Sequence, residues 1–283
     1  MDFCRNGHHQ DHQLKGNPVY EFRLLKANSV QEAVYMLQNE KDAKIIAGGM
    51  TLLPTMKQRL SSPSTLIDLS SIKQLQEIEA FKEYIEIGSL CTHYEVFTSK
   101  IIQKYLPSLS KLAGLIADPQ VRFKGTIGGS IANNDPSADY PAALIGLGGI
   151  VVTNLREISS SDFIVGMFST CLGNDEVIQS LRFPIGYKTN YQKFKHPSSG
   201  YALCGVWLSQ KKNEQILAVT GVFSNAKRWV EGENAIAEKF NPKSFQLIKI
   251  DLDDIFITHD STKAYKAQLV RVLSQRAFEE ISK

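Results

Sequence analysis

The sequence AKIIAGGMTLLP at residues 43–54 decides how this chain is interpreted. Ala43–Ala47 is a short apolar run that predicts a strand, and Thr51–Leu60 repeats apolar residues at helical spacing. Between them, Gly48 and Gly49 let the backbone adopt positive φ and leave room for a ligand, because neither residue has a Cβ atom. Backbone N–H groups in such a turn, followed by a helix N-terminus, bind anions. The sequence therefore predicts an anion-binding turn.

A second glycine-rich stretch, GTIGGS at Gly125–Ser130, leads into the loop Asp135–Asp139. Each glycine pair has a Ser or Thr hydroxyl beside it, so two such turns in one place would suit the two anionic groups of a diphosphate. Neither stretch has the Gly-Lys-Ser/Thr ending of a P-loop or the G-x-G-x-x-G of a dinucleotide fold. Asp139 either caps a helix or accepts hydrogen bonds from ligand hydroxyls.

Length and charge exclude several classes of protein. The chain has 283 residues, of which 43% are hydrophobic, and its 32 Lys and Arg against 29 Asp and Glu give a net charge of +3. At roughly 150 residues per domain this length predicts two domains. The charge is too small to indicate a nucleic-acid partner. No apolar run approaches the about 18 residues of a membrane span, and the N-terminus lacks the apolar core of a signal peptide, so we expect a cytoplasmic protein.

The cysteines and histidines indicate no metal centre. Zinc and iron–sulfur sites need clustered thiolates, whereas the four cysteines here are scattered as Cys4, Cys91, Cys171 and Cys204. We therefore expect no iron–sulfur cluster on this chain, and scattered cysteines fit a reduced compartment. Residues 1–18 contain three histidines beside Cys4, which is compatible with a metal site, but such tracts are weak signals and a flexible tail is the favoured interpretation.

The remaining patterns indicate an α+β chain. Ser29–Glu32 has the composition of a capping box at the start of a helix. Past Pro184 the pattern changes to a hairpin and helices, which predicts a smaller C-terminal antiparallel sheet with helices. Further strands are predicted at Thr65–Leu69, Tyr84–Ile87, Ile150–Thr153, Glu176–Phe183, Tyr201–Leu208 and Gln215–Phe223, and helices at His93–Lys104, Pro107–Ile116 and Thr262–Ile281.

Two of these stretches resemble the flavin motifs of a known family. Ala47–Pro54 resembles A-G-G-x-[ST]-L-[LI]-P, and Thr126–Ala132 resembles T-[IL]-G-G-[NSD]-[LI]-A, both from the medium, FAD-binding subunit of the molybdenum hydroxylases. This family includes carbon monoxide dehydrogenase medium subunits and the FAD-binding subunits of xanthine dehydrogenases. Asp118–Arg122, Asp135–Asp139 and Ser199–Val206 follow the family pattern as well. The resemblance covers about residues 19–281.

The resemblance implies a domain plan and an FAD site. The fold would be the two-subdomain FAD-binding type shared with vanillyl-alcohol oxidases. A tail at 1–18 would precede the FAD-binding domain at 19–184, divided into about 19–75 and 76–184, and a C-terminal domain would occupy 185–283. The residues implied at the diphosphate are Ala47, Gly48, Gly49, Met50, Thr51 and Leu52, with Thr126, Ile127, Gly128, Gly129 and Ser130. Asp139 would lie at the ribityl or phosphate-proximal region, and Lys195 near the flavin ring. Ile178 or Gln179 lies where a strand of the family contacts the flavin by its backbone, and Ile178 is the residue assigned here.

His93 and Cys171 match no flavin-attachment position, so both are interpreted as structural, and we expect no catalytic side chain and no metal ligand on this chain.

The family resemblance also implies partners. A large subunit would hold the molybdenum cofactor, and a small subunit would hold two [2Fe–2S] centres that pass electrons to FAD and then to NAD⁺ or O₂. Two alternatives stay open at this point. One is a free-standing FAD-dependent oxidase or reductase of the same fold that acts directly on a small substrate. The other is a scaffold that has the fold without FAD.

Overall fold

A computed structural model describes residues 19–212, 214–239, 242–256 and 261–283. The histidine-rich segment with its candidate metal site lies outside these residues. The strands are β1 Arg23–Lys26, β2 Ala43–Ile46, β3 Thr65–Asp68, β4 Ile78–Ala80, β5 Tyr84–Gly88, β6 Ile150–Thr153, β7 Glu157–Ser159, β8 Ile164–Gly166, β9 Ser169–Thr170, β10 Ile178–Pro184, β11 Lys188–Lys195, β12 Ala202–Lys211, β13 Glu214–Thr220 and β14 Lys227–Arg228.

The chain contains both helices and strands, and its two larger sheets are antiparallel, which makes it an α+β protein, as predicted. The α-helices are α1 Val30–Asn39, α2 Leu52–Lys57, α3 His93–Thr98, α4 Lys100–Tyr105, α5 Pro107–Gly114, α6 Pro119–Arg122, α7 Ile127–Asn133, α8 Tyr140–Gly146, α9 Ser160–Phe163, α10 Val230–Lys239 and α11 Lys263–Ile281. Short 3₁₀ helices lie at Lys73–Gln76 and Pro242–Leu247. None of the helices in the described ranges has the length and apolar character of a membrane span.

The first sheet is parallel, with the strand order β1-β3-β2. Helix α1 connects β1 to β2, and its Ser29 side chain accepts a hydrogen bond from the Glu32 amide, as the capping-box pattern predicts. A complete capping box also needs the Glu32 carboxylate to accept a hydrogen bond from the Ser29 amide. This part of the prediction is wrong, because the Glu32 carboxylate accepts from the Asn28 amide instead. The loop after β2 carries the first glycine pair, so the carboxyl end of this strand faces the candidate site.

The second sheet is antiparallel, with the order β4-β5-β10-β6-β7, and helices α3 to α5 and α7 to α9 contribute buried residues to its core. The single helix predicted at His93–Lys104 is two helices. Ser99 ends α3 and caps α4, since its side chain accepts a hydrogen bond from the Ile102 amide. A serine that competes for the backbone in this way changes the direction of the chain, which the hydrophobic spacing alone does not reveal.

The third sheet has the order β11-β12-β13-β14, and α10 and α11 pack against it. Helix α11 buries apolar residues at every fourth position against this sheet, from Leu269 to Ile281. Tyr265 is exposed, while Lys266 is buried and its ammonium donates hydrogen bonds to the carbonyls of Gly221 and Phe256. A lysine is tolerated at a core position here because backbone carbonyls satisfy its charge.

The second and third sheets share one hydrophobic core. Trp207 of β12 packs directly on α8, where a Cβ atom on Gly146 would lie 2.3 Å from the indole ring. Tyr191 of β11 belongs to the same core, and its ring centroid lies 6.1 Å from that of Trp207. The C-terminal sheet is therefore packed against the middle of the molecule rather than attached through a linker.

Candidate functional site

A cavity of about 830 Å³ lies where the glycine segments, the second sheet and the C-terminal sheet meet. Its volume is in the upper part of the range for small-molecule and cofactor sites. Thirteen of the fourteen residues named from the sequence line it: Ala47, Gly48, Gly49, Met50, Thr51, Leu52, Thr126, Gly128, Gly129, Ser130, Asp139, Ile178 and Lys195. The fourteenth, Ile127, is completely buried in the core and does not reach the cavity.

The first glycine segment presents free backbone donors to the cavity. Gly49 has a φ of +71°, the left-handed conformation that glycine favours. Among the described residues, no protein atom accepts a hydrogen bond from the amide groups of residues 48–52. Thr51, the N-cap of α2, makes no side-chain capping bond, so its hydroxyl does not use these donors either. The segment is thus a row of unsatisfied N–H groups, which is the arrangement that binds anions.

Gly48 serves packing rather than ligand access. A Cβ atom at this position would lie 1.9 Å from the carbonyl oxygen of Lys124, just before the second glycine segment. The two segments therefore touch through their backbones. This contact explains why a glycine is needed at the first position of the pair and holds the two segments together at one side of the cavity.

The second glycine segment uses its amides inside the protein. The Gly128 amide donates to the Ser89 carbonyl, and the Gly129 amide donates to the Thr126 hydroxyl, which caps α7. A Cβ atom on Gly128 would lie 2.5 Å from the Ser89 Cβ, so this glycine is required for close packing. The expected second row of free amides is therefore absent. What this segment offers the cavity is the exposed surface of Gly129 and the half-buried Ser130.

Asp139 is held by the C-terminal sheet. Its Oδ2 lies 2.8 Å from the Lys193 ammonium, and its Oδ1 accepts a hydrogen bond of 2.5 Å from the Tyr191 hydroxyl. The side chains of Asp139 and Lys193 are 4% and 2% exposed. Burial raises the pKa of Asp139 in spite of these two donors. Both carboxylate oxygens are engaged within the protein, which makes Asp139 a fixed part of the wall.

Lys195 stands two residues further along the same strand and reaches the opposite wall. Its ammonium lies 3.4 Å from the carbonyl oxygen of Ala117. Ala117 has a φ of +42°, and its carbonyl also accepts a hydrogen bond of 3.0 Å from Arg122. An alanine with a left-handed φ is strained, so the contacts of Lys195 and Arg122 with its carbonyl stabilise a bend at Ala117. The helical spacing of residues 107–116 does not predict this bend.

His93 is a buried, neutral part of the same wall. Burial and the nearby Arg122 lower the pKa of His93 to about 4. Within the described chain, its Nδ1 and the Ser89 hydroxyl have no hydrogen-bond partner, and both residues line the cavity. A neutral ring without a carboxylate partner does not have the environment of a catalytic acid or base.

Several wall residues were not named from the sequence. Gly200 and Tyr201 come from the loop after β11 and line the cavity. Burial raises the pKa of Tyr201. The sequence does contain a signal for such wall residues, because Gly200 and Tyr201 lie in the family-like stretch Ser199–Val206, and Asp118–Arg122 is a second such stretch. Lys44 also lines the cavity but belongs to no motif.

The described residues contain no group of three or more His, Cys, Asp and Glu that could hold a metal ion. The three cysteines that the structure describes, Cys91, Cys171 and Cys204, are unpaired.

Residues 20–186 match the family described as the FAD binding domain in molybdopterin dehydrogenase. The chain belongs to this family, and it is an FAD-binding medium subunit of the molybdenum hydroxylase type, an oxidoreductase component whose cofactor is FAD.

Named relatives agree with this assignment. The glyceraldehyde dehydrogenase medium chain of Sulfolobus acidocaldarius is 30% identical over 277 residues, which cover 93% of this chain and 99% of that protein. The carbon monoxide dehydrogenase medium chain of Hydrogenophaga pseudoflava is 35% identical over 235 residues, covering 78% of this chain and 81% of the relative.

A solved carbon monoxide dehydrogenase from Hydrogenophaga pseudoflava, which lacks the Mo-pyranopterin moiety of its cofactor, superimposes with a TM-score of 0.85 at 31% identity. The match covers 92% of this chain and 97% of the solved chain.

The cavity fits this cofactor. A diphosphate needs converging hydrogen-bond donors, and the amides of residues 48–52 are unsatisfied within the described chain. The left-handed Gly49 lets the backbone approach such a group without a side chain in between. Lys195 and the apolar wall residues Leu172, Val177 and Ile178 complete a site for a large anionic aromatic ligand.

Proposed function

We propose that this chain is the FAD subunit of a heterotrimeric molybdenum hydroxylase. It would receive electrons from a small [2Fe–2S] subunit and pass them to NAD⁺ or O₂. The small subunit would in turn receive these electrons from a large molybdenum-cofactor subunit. The observation that carries the proposal is the row of free amides at residues 48–52 on the wall of a cofactor-sized cavity. The names of the relatives, as medium chains of dehydrogenases, support the assembly.

The residues proposed to bind FAD have distinct tasks. The amides of residues 48–52 would hold the diphosphate, and Gly129 and Ser130 would face it from the second segment. Asp139, fixed by Lys193, would shape the wall beside the ribityl chain, while Lys195 would place a positive charge near the ring. Bound FAD supplies the ability to accept electrons singly and release them in pairs.

The remaining redox centres are proposed to lie on other chains. The three described cysteines are far apart in the sequence and unpaired, and the described part of the chain has no metal-ligand cluster. Unpaired cysteines also support the proposed cytoplasmic location. The proposed domain plan, with an FAD-binding domain at 19–184 and a C-terminal domain at 185–283, is supported by the family match, which ends at residue 186.

The assembly is tested by purifying the native complex. The chain should co-purify with a molybdenum-containing large subunit and an iron–sulfur small subunit, with one FAD per copy of this chain, measured by metal analysis and absorption spectroscopy. Purification of the flavin-loaded chain alone from its native host would contradict the assembly. Rapid flavin reduction of the isolated chain by a small organic substrate would favour the free-standing oxidase instead.

The diphosphate assignment is tested at Met50, whose side chain is exposed beside the free amides. Met50→Glu should weaken FAD binding by about tenfold or more, because a carboxylate within several ångströms of a diphosphate is repelled. Met50→Gln, the uncharged control of similar size, should bind FAD normally. Equal FAD affinity of the two variants, measured by fluorescence titration of the apoprotein, would remove the diphosphate from this segment.

A further inference from the structure

A second cavity, of about 620 Å³, lies at the far end of the strands that reach the cofactor cavity. Strand β10 connects the two, because Ile178 at its start lines the cofactor cavity and Pro184 at its end lines the second cavity. Six residue steps of about 3.4 Å each place these two positions about 20 Å apart. Among the described residues, none lines both cavities. The second cavity is therefore a separate site rather than an extension of the first.

Three tyrosine side chains from different parts of the fold line the second cavity. Tyr84 begins β5, Tyr105 ends α4, and Tyr187 lies in the turn between β10 and β11. The Tyr84 ring stacks on Phe81 at a centroid distance of 4.7 Å, and Tyr105 is 37% exposed. Tyrosine rings present large, flat apolar surfaces. The second cavity therefore suits a planar ligand.

The turn between β10 and β11 fixes one side of this cavity. The Ile185 amide donates a hydrogen bond to the Glu83 carbonyl, which ties the turn to the start of β5. Gly186 has a φ of +85°, the left-handed conformation that glycine favours. A Cβ atom on Gly186 would lie 3.8 Å from the Lys211 ammonium. The turn thus places Tyr187 and Lys211 side by side, and the cavity is formed before a ligand binds.

Two lysines give the second cavity free positive charge. The Lys211 ammonium lies 4.8 Å from the centroid of the Tyr187 ring, and Lys82 is exposed in the same lining. Within the described chain, neither lysine forms a salt bridge. Glu214 pairs with Lys211 in the register of β12 and β13 but lies outside the lining. Glu83 is the carboxylate of the lining, so the free ammonium groups outnumber it.

Arg182 also lines the second cavity, but its charge is compensated. Its guanidinium lies 5.4 Å from the centroid of the Tyr84 ring, its Nε lies 2.8 Å from the Glu86 carboxylate, and a second nitrogen contacts Glu157. An arginine held by two carboxylates makes the wall rigid and adds no free charge. The attraction for an anion therefore depends on the lysines, and Lys211 is the one that lies over a tyrosine ring.

We propose that the second cavity binds a small planar aromatic carboxylate, with its rings against Tyr105 and Tyr187 and its carboxylate paired with Lys211. Aromatic rings stack favourably on tyrosine, and a charge-assisted hydrogen bond to an ammonium orients the carboxylate. The volume of the cavity is that of a small-molecule site. This site is additional to the proposed flavin function and does not rest on it.

The test is calorimetric titration of the FAD-loaded chain with naphthalene-2-carboxylate, because bound FAD keeps this probe out of the cofactor cavity. One probe molecule should bind per chain, with a Kd of about 0.1 mM or tighter. Lys211→Met should weaken binding by about tenfold, and Lys211→Arg should keep most of the affinity, because it keeps the charge. Naphthalene-2-carboxamide, which has the same rings without the charge, should bind the wild type as weakly as the carboxylate binds Lys211→Met.

Two more variants complete the test. Tyr187→Leu should weaken binding through lost stacking, and Tyr105→Ala, at an exposed position, replaces it if circular dichroism shows that the half-buried Tyr187 is needed for folding. Lys73→Met is the matched control, because Lys73 is an exposed lysine outside both cavities, and it should bind the probe like the wild type. Absence of saturable binding to the wild type, equal affinity of Lys211→Met and Lys73→Met, or release of FAD when the probe is added would overturn the proposal.

Discussion

Lys193→Met should be among the most destabilising single substitutions in this protein. The ammonium lies 2.8 Å from Asp139, and both side chains are at most 4% exposed. Removing the lysine leaves a buried carboxylate without its counter-charge, which costs about 3–5 kcal/mol. The free energy of unfolding of a typical domain is only about 5–15 kcal/mol, so a large part of the stability should be lost.

The assay is urea unfolding followed by tryptophan fluorescence, because Trp207 lies in the same core as Tyr191, the second donor to Asp139. Without Lys193 the pKa of Asp139 rises further, and a raised pKa lowers stability as the pH increases. The difference from wild type should therefore be larger at pH 8 than at pH 5. This pH dependence distinguishes a lost counter-charge from a simple packing defect.

Two control variants complete the experiment. Lys193→Met combined with Asp139→Asn removes both charges and should recover much of the lost stability. Lys195→Met, on the same face of the same strand but exposed, should cost less than about 1 kcal/mol. A loss below about 1 kcal/mol in Lys193→Met, or a loss that does not depend on pH, would refute the account of a desolvated ion pair.

Three further outcomes are expected. Gly128→Ala should lower the free energy of unfolding of the apoprotein by about 1–3 kcal/mol, measured by urea denaturation, because its Cβ would overlap Ser89; an unchanged apoprotein would contradict the packing role. Glu176, bound by Arg156, has its pKa lowered to about 2, so its contribution to stability is present above about pH 4.5 and is lost as the pH falls towards 2. Glu176→Gln should reduce this loss of stability at low pH in unfolding experiments, and the same pH dependence in the variant and the wild type would argue against the pair. In a Cys4→Ser background, a maleimide should label Cys171 before the buried Cys91 and Cys204, because burial raises the pKa of the Cys91 thiol to about 12 and raises that of Cys204 further. The order of labelling is measured by mass spectrometry, and labelling of either buried thiol first would contradict this prediction.

The local parts of the fold follow from the sequence because they depend on local chemistry. The strand, glycine turn and helix at residues 43–57 are correct in type, and Gly49 has the positive φ that the pattern requires. The predicted strands of the second sheet lie within two residues of their observed ends. The break at Ser99 was missed, because a serine that caps one helix while ending another has no signal in hydrophobic spacing.

The site residues could be named from motifs, but their individual roles could not. The two glycine segments look alike in the sequence, yet within the described residues only the first has a row of amides without an acceptor, since Ser89 and Thr126 accept from Gly128 and Gly129 of the second. Ile127 was assigned to the site by its place in the motif, although its side chain points into the core. These differences arise from contacts between distant segments, which one sequence does not contain.

The end of the family match at residue 186 is not a place where the molecule can be divided freely. Lys193 compensates a buried charge on the other side of that boundary, and Trp207 fills the space above Gly146. For protein engineering, this means that the two halves are not interchangeable parts. A chimera that joins residues 19–186 to the C-terminal half of a relative would keep its flavin cavity only if the new half also supplied a cation opposite Asp139 and an aromatic ring over the glycine.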